Sequence, residues 1–186
     1  MRRALLIIDM QEVLVPVVWQ GKELADRIAG LARAAREQDV PVVGIQQTGP
    51  PGTPFDPTNP GWQLSARLGI QSGDLRVCKS AVDSFFRSGL ADLLAARKVD
   101  TVVLTGVATD YCVDATARSA LSRGFDVDLV SDGHAPAATG RRRRPYARAS
   151  RGPSQHGVES CNPSRGRIAL GHRGQGLLRP GLGLCS

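Results

Sequence analysis

The chain has 186 residues, enough for one domain with a single sizeable core. Its net charge of +7 is unevenly placed: residues 1–132 hold 14 Lys+Arg against 16 Asp+Glu, whereas residues 133–186 hold ten arginines, no lysine and one glutamate. The body is therefore near neutral, which argues against a nucleic-acid-binding surface there. No apolar run approaches the ~20 residues of a membrane span, and the opening apolar run meets an aspartate too early for a signal peptide. A cytoplasmic, membrane-free protein is the expectation. The cysteines at 78, 112, 161 and 185 form no CxxC pair and no zinc spacing.

In chain order, Ala4–Ile8 is an apolar run of the kind that makes a buried strand, and it ends in Asp9, Met10 and Gln11. Gln11 to Gln20, with Pro16 and Trp19, reads as a loop across the top of a sheet. Lys22 to Gln38 carries Leu24, Ile28, Leu31 and Ala35 at helical spacing. Pro41 to Ile45 is a second buried strand, completing a βαβ unit with a right-handed crossover. Gln46 to Asp74 is too rich in Pro and Gly for helix or central strand, and a loop of that length is usually functional. Its Phe55 and Trp62 could wall a pocket or simply pin the loop.

Val77-Cys78-Lys79 is a short strand ending in a lysine, with Cys78 read as a packed thiol. Ser88 is placed to cap a helix carrying Leu90, Leu93 and Leu94 and ending near Lys98. Thr101–Leu104 is a β-branched, apolar strand that stops at Gly106. From about Asp110 the period becomes helical, with Val113, Ala117, Ala120 and Leu121 on one side. Gly124 ends that helix, Asp126–Val130 is a fifth strand, and Asp132 follows as a cap or turn residue.

Cys112 sits where strand gives way to helix. Unpaired N–H groups and the positive end of a helix dipole favour a thiolate there, but free cysteine is as often a small buried hydrophobe. Position alone leaves both readings open. What tips the balance is company: Asp9, Lys79 and Cys112 each lie at a strand's carboxyl end, where ligands gather in open parallel sheets.

Three motifs, LLIIDMQ, CKSAVDSFF and GVATDYCVDATARSAL followed by DVDLVSDGHA, stand in this order. On them the chain resembles the isochorismatase-like cysteine hydrolases, which include nicotinamidases, carbamoylsarcosine amidohydrolases and ureidoacrylate amidohydrolases. The resemblance runs from about residue 3 to about residue 135. It implies a three-layer α-β-α fold around an open, mainly parallel, Rossmann-like sheet. It also implies a Cys112 nucleophile, Asp9 as proton acceptor and donor, and Lys79 holding Asp9 ionised and lowering the thiol pKa. It further implies a cis peptide at Val107–Ala108, with the backbone N–H groups of Ala108 and Cys112 as an oxyanion hole. The scheme needs no metal and no cofactor. The Asp-x-His-x-His cluster of nicotinamidases is absent, because no histidine precedes His134. Where the family often has Gly-Thr after its aromatic, Arg87-Ser88 stands here.

Gln11, Trp62 and Phe86 are the expected substrate-binding side chains. Gln11 could equally bond backbone, and either Phe85 or Phe86 could be the one in the core. The expected reaction is hydrolysis of a C–N bond in a small amide, carbamoyl or ureido compound. Vinyl-ether hydrolysis of the isochorismatase type, which needs no thiol, and an inactive truncated family member are the alternatives. Family members are commonly oligomeric, so a homo-oligomer is expected, with the loop from Thr48 to Trp62 as a contact surface.

From about Pro136 the apolar pattern stops, and Gly and Pro supply 15 of the last 54 residues, a composition of disorder. The family would have a helix, a sixth strand and a final helix here, so the normal C-terminal strand and helix are expected to be missing. The domain is accordingly drawn at 1–135 and a basic low-complexity tail at 136–186. Ten arginines without a lysine fit a GC-rich gene read in a shifted frame from residues 135–140 onward. Resequencing tests this, and an unambiguous in-frame read to Ser186 would refute it. A nucleic-acid-binding arm ranks lower, since the tail lacks interleaved aromatics and any recognisable module.

Overall fold

The computed structural model describes residues 1–137. The basic tail, Cys161, Cys185 and the stretch where the C-terminal strand and helix are expected to be missing all lie outside the described residues. Five parallel strands make one sheet: β1 (Arg3–Ile8), β2 (Val42–Gln47), β3 (Leu75–Lys79), β4 (Thr101–Val107) and β5 (Asp126–Ala135). Their spatial order is β3-β2-β1-β4-β5. Helix α1 (Gly21–Glu37) covers one face, and α2 (Leu90–Ala96) and α3 (Asp114–Ser122) contribute to the other.

Alternation along β1 shows why its apolar run is unbroken. Leu5 and Ile7 enter the cluster containing Leu24, Ile28 and Ala32 of α1. Ala4, Leu6 and Ile8 enter the opposite cluster, with Leu90 and Leu94 of α2 and Ala120 of α3. A strand covered on both faces gains from an apolar residue at every position, at about 1.5–3 kcal/mol for each large side chain fully buried. Of the predicted α1 stripe, Leu24 and Ile28 are buried, and Leu31 and Ala35 pack partly buried at its edge.

The strand order creates the opening for a site. The chain leaves β1 toward β2 and β3 on one side, then returns to place β4 on the other. Loops after β1 and β4 therefore diverge, and a crevice opens at their carboxyl ends. Gly106 lets β4 lie close to β1 there. It has φ +111°, and a Cβ at that position would stand 2.0 Å from the Ile8 carbonyl oxygen.

Several predicted boundaries move. β2 runs two residues further, to Gln47. β4 passes through Gly106 to Val107. β5 continues past Val130 to Ala135 through an irregularity opposite Leu104–Gly106, so Asp132 lies within the strand. The helix expected from Asp110 instead begins at Asp114, after a π-type turn over Thr109–Val113. That shift leaves Leu121 exposed, whereas Val113 and Ala120 are buried. Gly89, with φ +73°, caps α2 in place of Ser88, whose hydroxyl still accepts from the Leu90 N–H at 3.3 Å. Cys78 is exposed on edge strand β3, not packed.

The long loop between β2 and β3 is tied down at both ends. Near its start, the Thr48 N–H donates to the Lys79 carbonyl at 2.7 Å. Near its end, Arg36 donates to both oxygens of Asp74, at 2.9 and 2.6 Å, and to the Gly69 carbonyl at 3.1 Å. Its middle runs antiparallel beside residues 11–13, through bonds from Glu12 to Gln63 and from Val13 to Gly61, both 2.9 Å.

Candidate active site

The three strand ends bring their side chains together. Asp9 follows β1 with φ +54° and is 2% exposed. Lys79 closes β3, two strands away, and its stem reaches across the end of β2. Its ammonium lies 2.8 Å from Asp9 Oδ2 and 3.3 Å from Cys112 Sγ. It also donates to Gln47 Oε1 at 2.7 Å and to the Ala81 carbonyl at 3.1 Å. The lysine side chain is 0% exposed, so a cation that strongly prefers water is held by surrounding acceptors. Cys112 stands on the π-type turn after β4, half-buried, with its thiol beside the Asp9 carboxylate.

The electrostatics differ from expectation at the thiol. Burial pushes the Cys112 thiol up, the Asp9 charge adds to that, and the two outweigh Lys79, so its pKa stands at about 11. Burial and the neighbouring carboxylate favour the thiol form. Burial likewise raises Asp9 above the ordinary carboxylate range, although the Lys79 charge and hydrogen bond pull the other way. A raised carboxyl beside a raised thiol is a pair able to share one proton. Among the described residues Asp9 Oδ1 is buried without a hydrogen-bond partner.

The peptide bond Val107–Ala108 is cis. The Ala108 carbonyl accepts from the N–H groups of Tyr111 and Val113, both at 3.1 Å, which anchors the turn carrying Cys112. Thr109 Oγ1 is bonded to His134 Nδ1 at 2.8 Å, linking the same turn to β5. Asp9, Ala108 and Cys112 all line a cavity of about 550 Å³, whose walls include Leu14, Val17, Val18, Phe55, Val82 and Tyr111. That volume suits a small organic ligand.

The three expected substrate-binding side chains lie elsewhere. Gln11 is fully buried and staples backbone: its Nε2 donates to the carbonyls of Trp62 (2.7 Å) and Gln47 (3.1 Å), and its Oε1 accepts from the Gln47 N–H (3.0 Å). Trp62 is part of that staple and donates through Nε1 to Thr48 Oγ1 at 3.3 Å. Phe86 is 47% exposed beneath the Arg87 guanidinium, while Phe85 is the core aromatic, stacked on Phe125. None of the three lines the cavity. Gln11→Ala would strand the Gln47 N–H and carbonyl, while the Trp62 carbonyl keeps its bond from Gln46 Nε2 at 3.0 Å, and a stability loss of about 1–3 kcal/mol in chemical denaturation is expected. A loss below measurement error would contradict the staple.

The residues missed are Gln47 and Ser80, both on the cavity wall. Gln47 was findable: it is a polar residue at the carboxyl end of a buried strand, the feature that singled out Asp9. Among the described residues no group of three or more His, Cys, Asp or Glu side chains could hold a metal ion, and no helix is long and apolar enough to cross a membrane.

Comparison with known proteins identifies the family of the chain. The Isochorismatase domain profile matches residues 3–153. A streptothricin hydrolase of Streptomyces noursei is 38% identical over 138 residues, covering 72% of this chain and 49% of its own length. The chain thus spans about half of that relative, and 58% of a second streptothricin hydrolase from the same organism. Among solved structures, a cysteine hydrolase from Pseudomonas syringae pv. phaseolicola 1448A is similar with a TM-score of 0.69 and 26% identity, over 73% of each chain. N-carbamoylsarcosine amidase from Thermoplasma acidophilum is similar with a TM-score of 0.65 and 26% identity, over 75% of this chain and 87% of its own.

Proposed function

We propose, from the premise that this chain belongs to the isochorismatase family, that it is a cysteine hydrolase cleaving the C–N bond of a small amide, carbamoyl or ureido compound. The observation that carries the reading is the buried cluster in which one ammonium bridges a carboxylate at 2.8 Å and a thiol at 3.3 Å on a cavity wall. The similarity to an amidase supports the C–N bond as the target.

In this reading Cys112 Sγ attacks the substrate carbonyl carbon while Asp9 takes the thiol proton. Because the acceptor stands beside the thiol, no resting thiolate is needed, and a raised Asp9 pKa makes it a stronger base for the transfer. The tetrahedral oxyanion is held by the backbone N–H groups of Ala108 and Cys112. Asp9 returns the proton to the leaving nitrogen, the C–N bond breaks, and an acyl thioester remains on Cys112. Water then attacks that thioester with Asp9 again accepting a proton, releasing the acid and the thiol. Lys79 holds Asp9 in place through both half-reactions and opposes the effect of burial on its ionisation.

The pH dependence has a definite sign. Protonated Asp9 cannot accept the thiol proton, so kcat/KM for amide hydrolysis is expected to rise with pH through the Asp9 pKa, which lies above the ordinary ~3.9. Asp9→Asn should abolish the activity together with this limb. Measuring the profile with purified protein on small primary amides tests the reading, and an activity independent of both pH and Asp9 would overturn it.

A further inference from the structure

We infer that the acyl side of the cavity selects neutral, apolar-substituted amides over amides carrying a second carboxylate. This inference rests on the amide-hydrolase reading above and names its substrate class. Leu14, Val17, Val18, Phe55, Val82 and Tyr111 supply most of the wall. Beyond the catalytic cluster the polar side chains there are uncharged, Gln47 and Ser80 together with the Tyr111 hydroxyl.

Among the described residues no arginine lines the cavity. Lys79 is not available to a substrate carboxylate, because its ammonium is buried and engaged by Asp9, Gln47, Ala81 and Cys112. Among the described residues the one formal charge on the wall is Asp9. A substrate carboxylate would meet like charge there, with no cation among the described lining residues to offset its loss of water. An alkyl or aryl group in the same place gains by leaving water against Val17, Val82 and Phe55.

The test uses the full-length chain and two primary amides of similar size, isovaleramide and succinamate. Binding to Cys112→Ala protein is followed by ligand-observed NMR, and turnover is measured with the unsubstituted chain. Isovaleramide should bind at least about tenfold more tightly and be hydrolysed with at least about a hundredfold higher kcat/KM, since several CH2 equivalents of burial are at stake. Val82→Arg, at a half-exposed rim position where a cation can be solvated, should shift the preference toward succinamate.

Isovaleramide binding no more tightly than succinamate, or not at all, overturns the inference. Discrimination in binding without hydrolysis of either amide would instead overturn the amide-hydrolase reading and leave the selectivity standing.

Discussion

Cys112→Ala is expected to lower amide kcat/KM by at least about a thousandfold, since it removes the nucleophile on which the acyl intermediate forms. In barrier terms that is about 4 kcal/mol, at 1.36 kcal/mol per tenfold. The fold should hardly notice. The side chain is half-buried on a turn anchored independently by the Ala108 carbonyl, and Lys79 keeps its bonds to Asp9, Gln47 and Ala81. A melting temperature near that of the unsubstituted protein, with activity gone, separates chemistry from structure. Retained activity would contradict the nucleophile and favour chemistry that needs no thiol, such as vinyl-ether hydrolysis.

Lys79→Met should damage both stability and chemistry. The substitution nearly preserves side-chain volume but leaves Asp9 as a buried carboxylate without its cation. Breaking a buried pair in this way typically costs about 3–5 kcal/mol. The lysine is also the cause opposing burial at Asp9, so its removal raises the Asp9 pKa further and protonates the base. Denaturation by urea should show the loss in the midpoint. Adding Asp9→Asn to Lys79→Met removes the orphaned charge, so the double variant should regain much of the stability and none of the activity. A single variant within about 0.5 kcal/mol of the unsubstituted protein would mean the pair is not buried as described.

The central layer of this molecule is legible because burial on both faces leaves one kind of signal. Ala4–Ile8 and Thr101–Leu104 are unbroken apolar runs, and an all-parallel sheet requires that of its inner strands. The catalytic cluster is legible for a related reason: Asp9 ends such a run, Lys79 closes β3 and Cys112 stands on the turn after β4, so all three fall at the carboxyl edge of the sheet. Gln47 escaped because Gln46-Gln47 reads as loop, although both residues pair with β3 in register with Cys78 and Lys79. The far half of β5 escaped because Asp132-Gly133 has turn chemistry, and only contact with Gly106 and Val107 shows that the strand goes on.

Other readings depended on partners distant in sequence. Nothing local decides whether the Gln11 amide meets a substrate or the backbone of Gln47 and Trp62, which lie 36 and 51 residues away. Phe85 and Phe86 are adjacent and chemically alike, and only the position of Phe125 decides which of them packs. At Cys112 the dipole argument was sound as physics but incomplete. Cys112 lies on the turn before α3, where burial and the neighbouring carboxylate, both supplied by residues distant in sequence, raise the thiol pKa.

The most direct test of the assembled cluster is the rate of iodoacetamide alkylation at each cysteine across a pH series, read peptide by peptide by mass spectrometry. Cys78 is the internal control, an exposed thiol on edge strand β3. If Asp9 accepts the thiol proton during attack, Cys112 should be labelled faster than Cys78 near neutral pH despite a pKa of about 11. If Cys112 is labelled more slowly than Cys78, and its rate simply climbs with thiolate fraction toward pH 11, the thiol has no working base and the account fails.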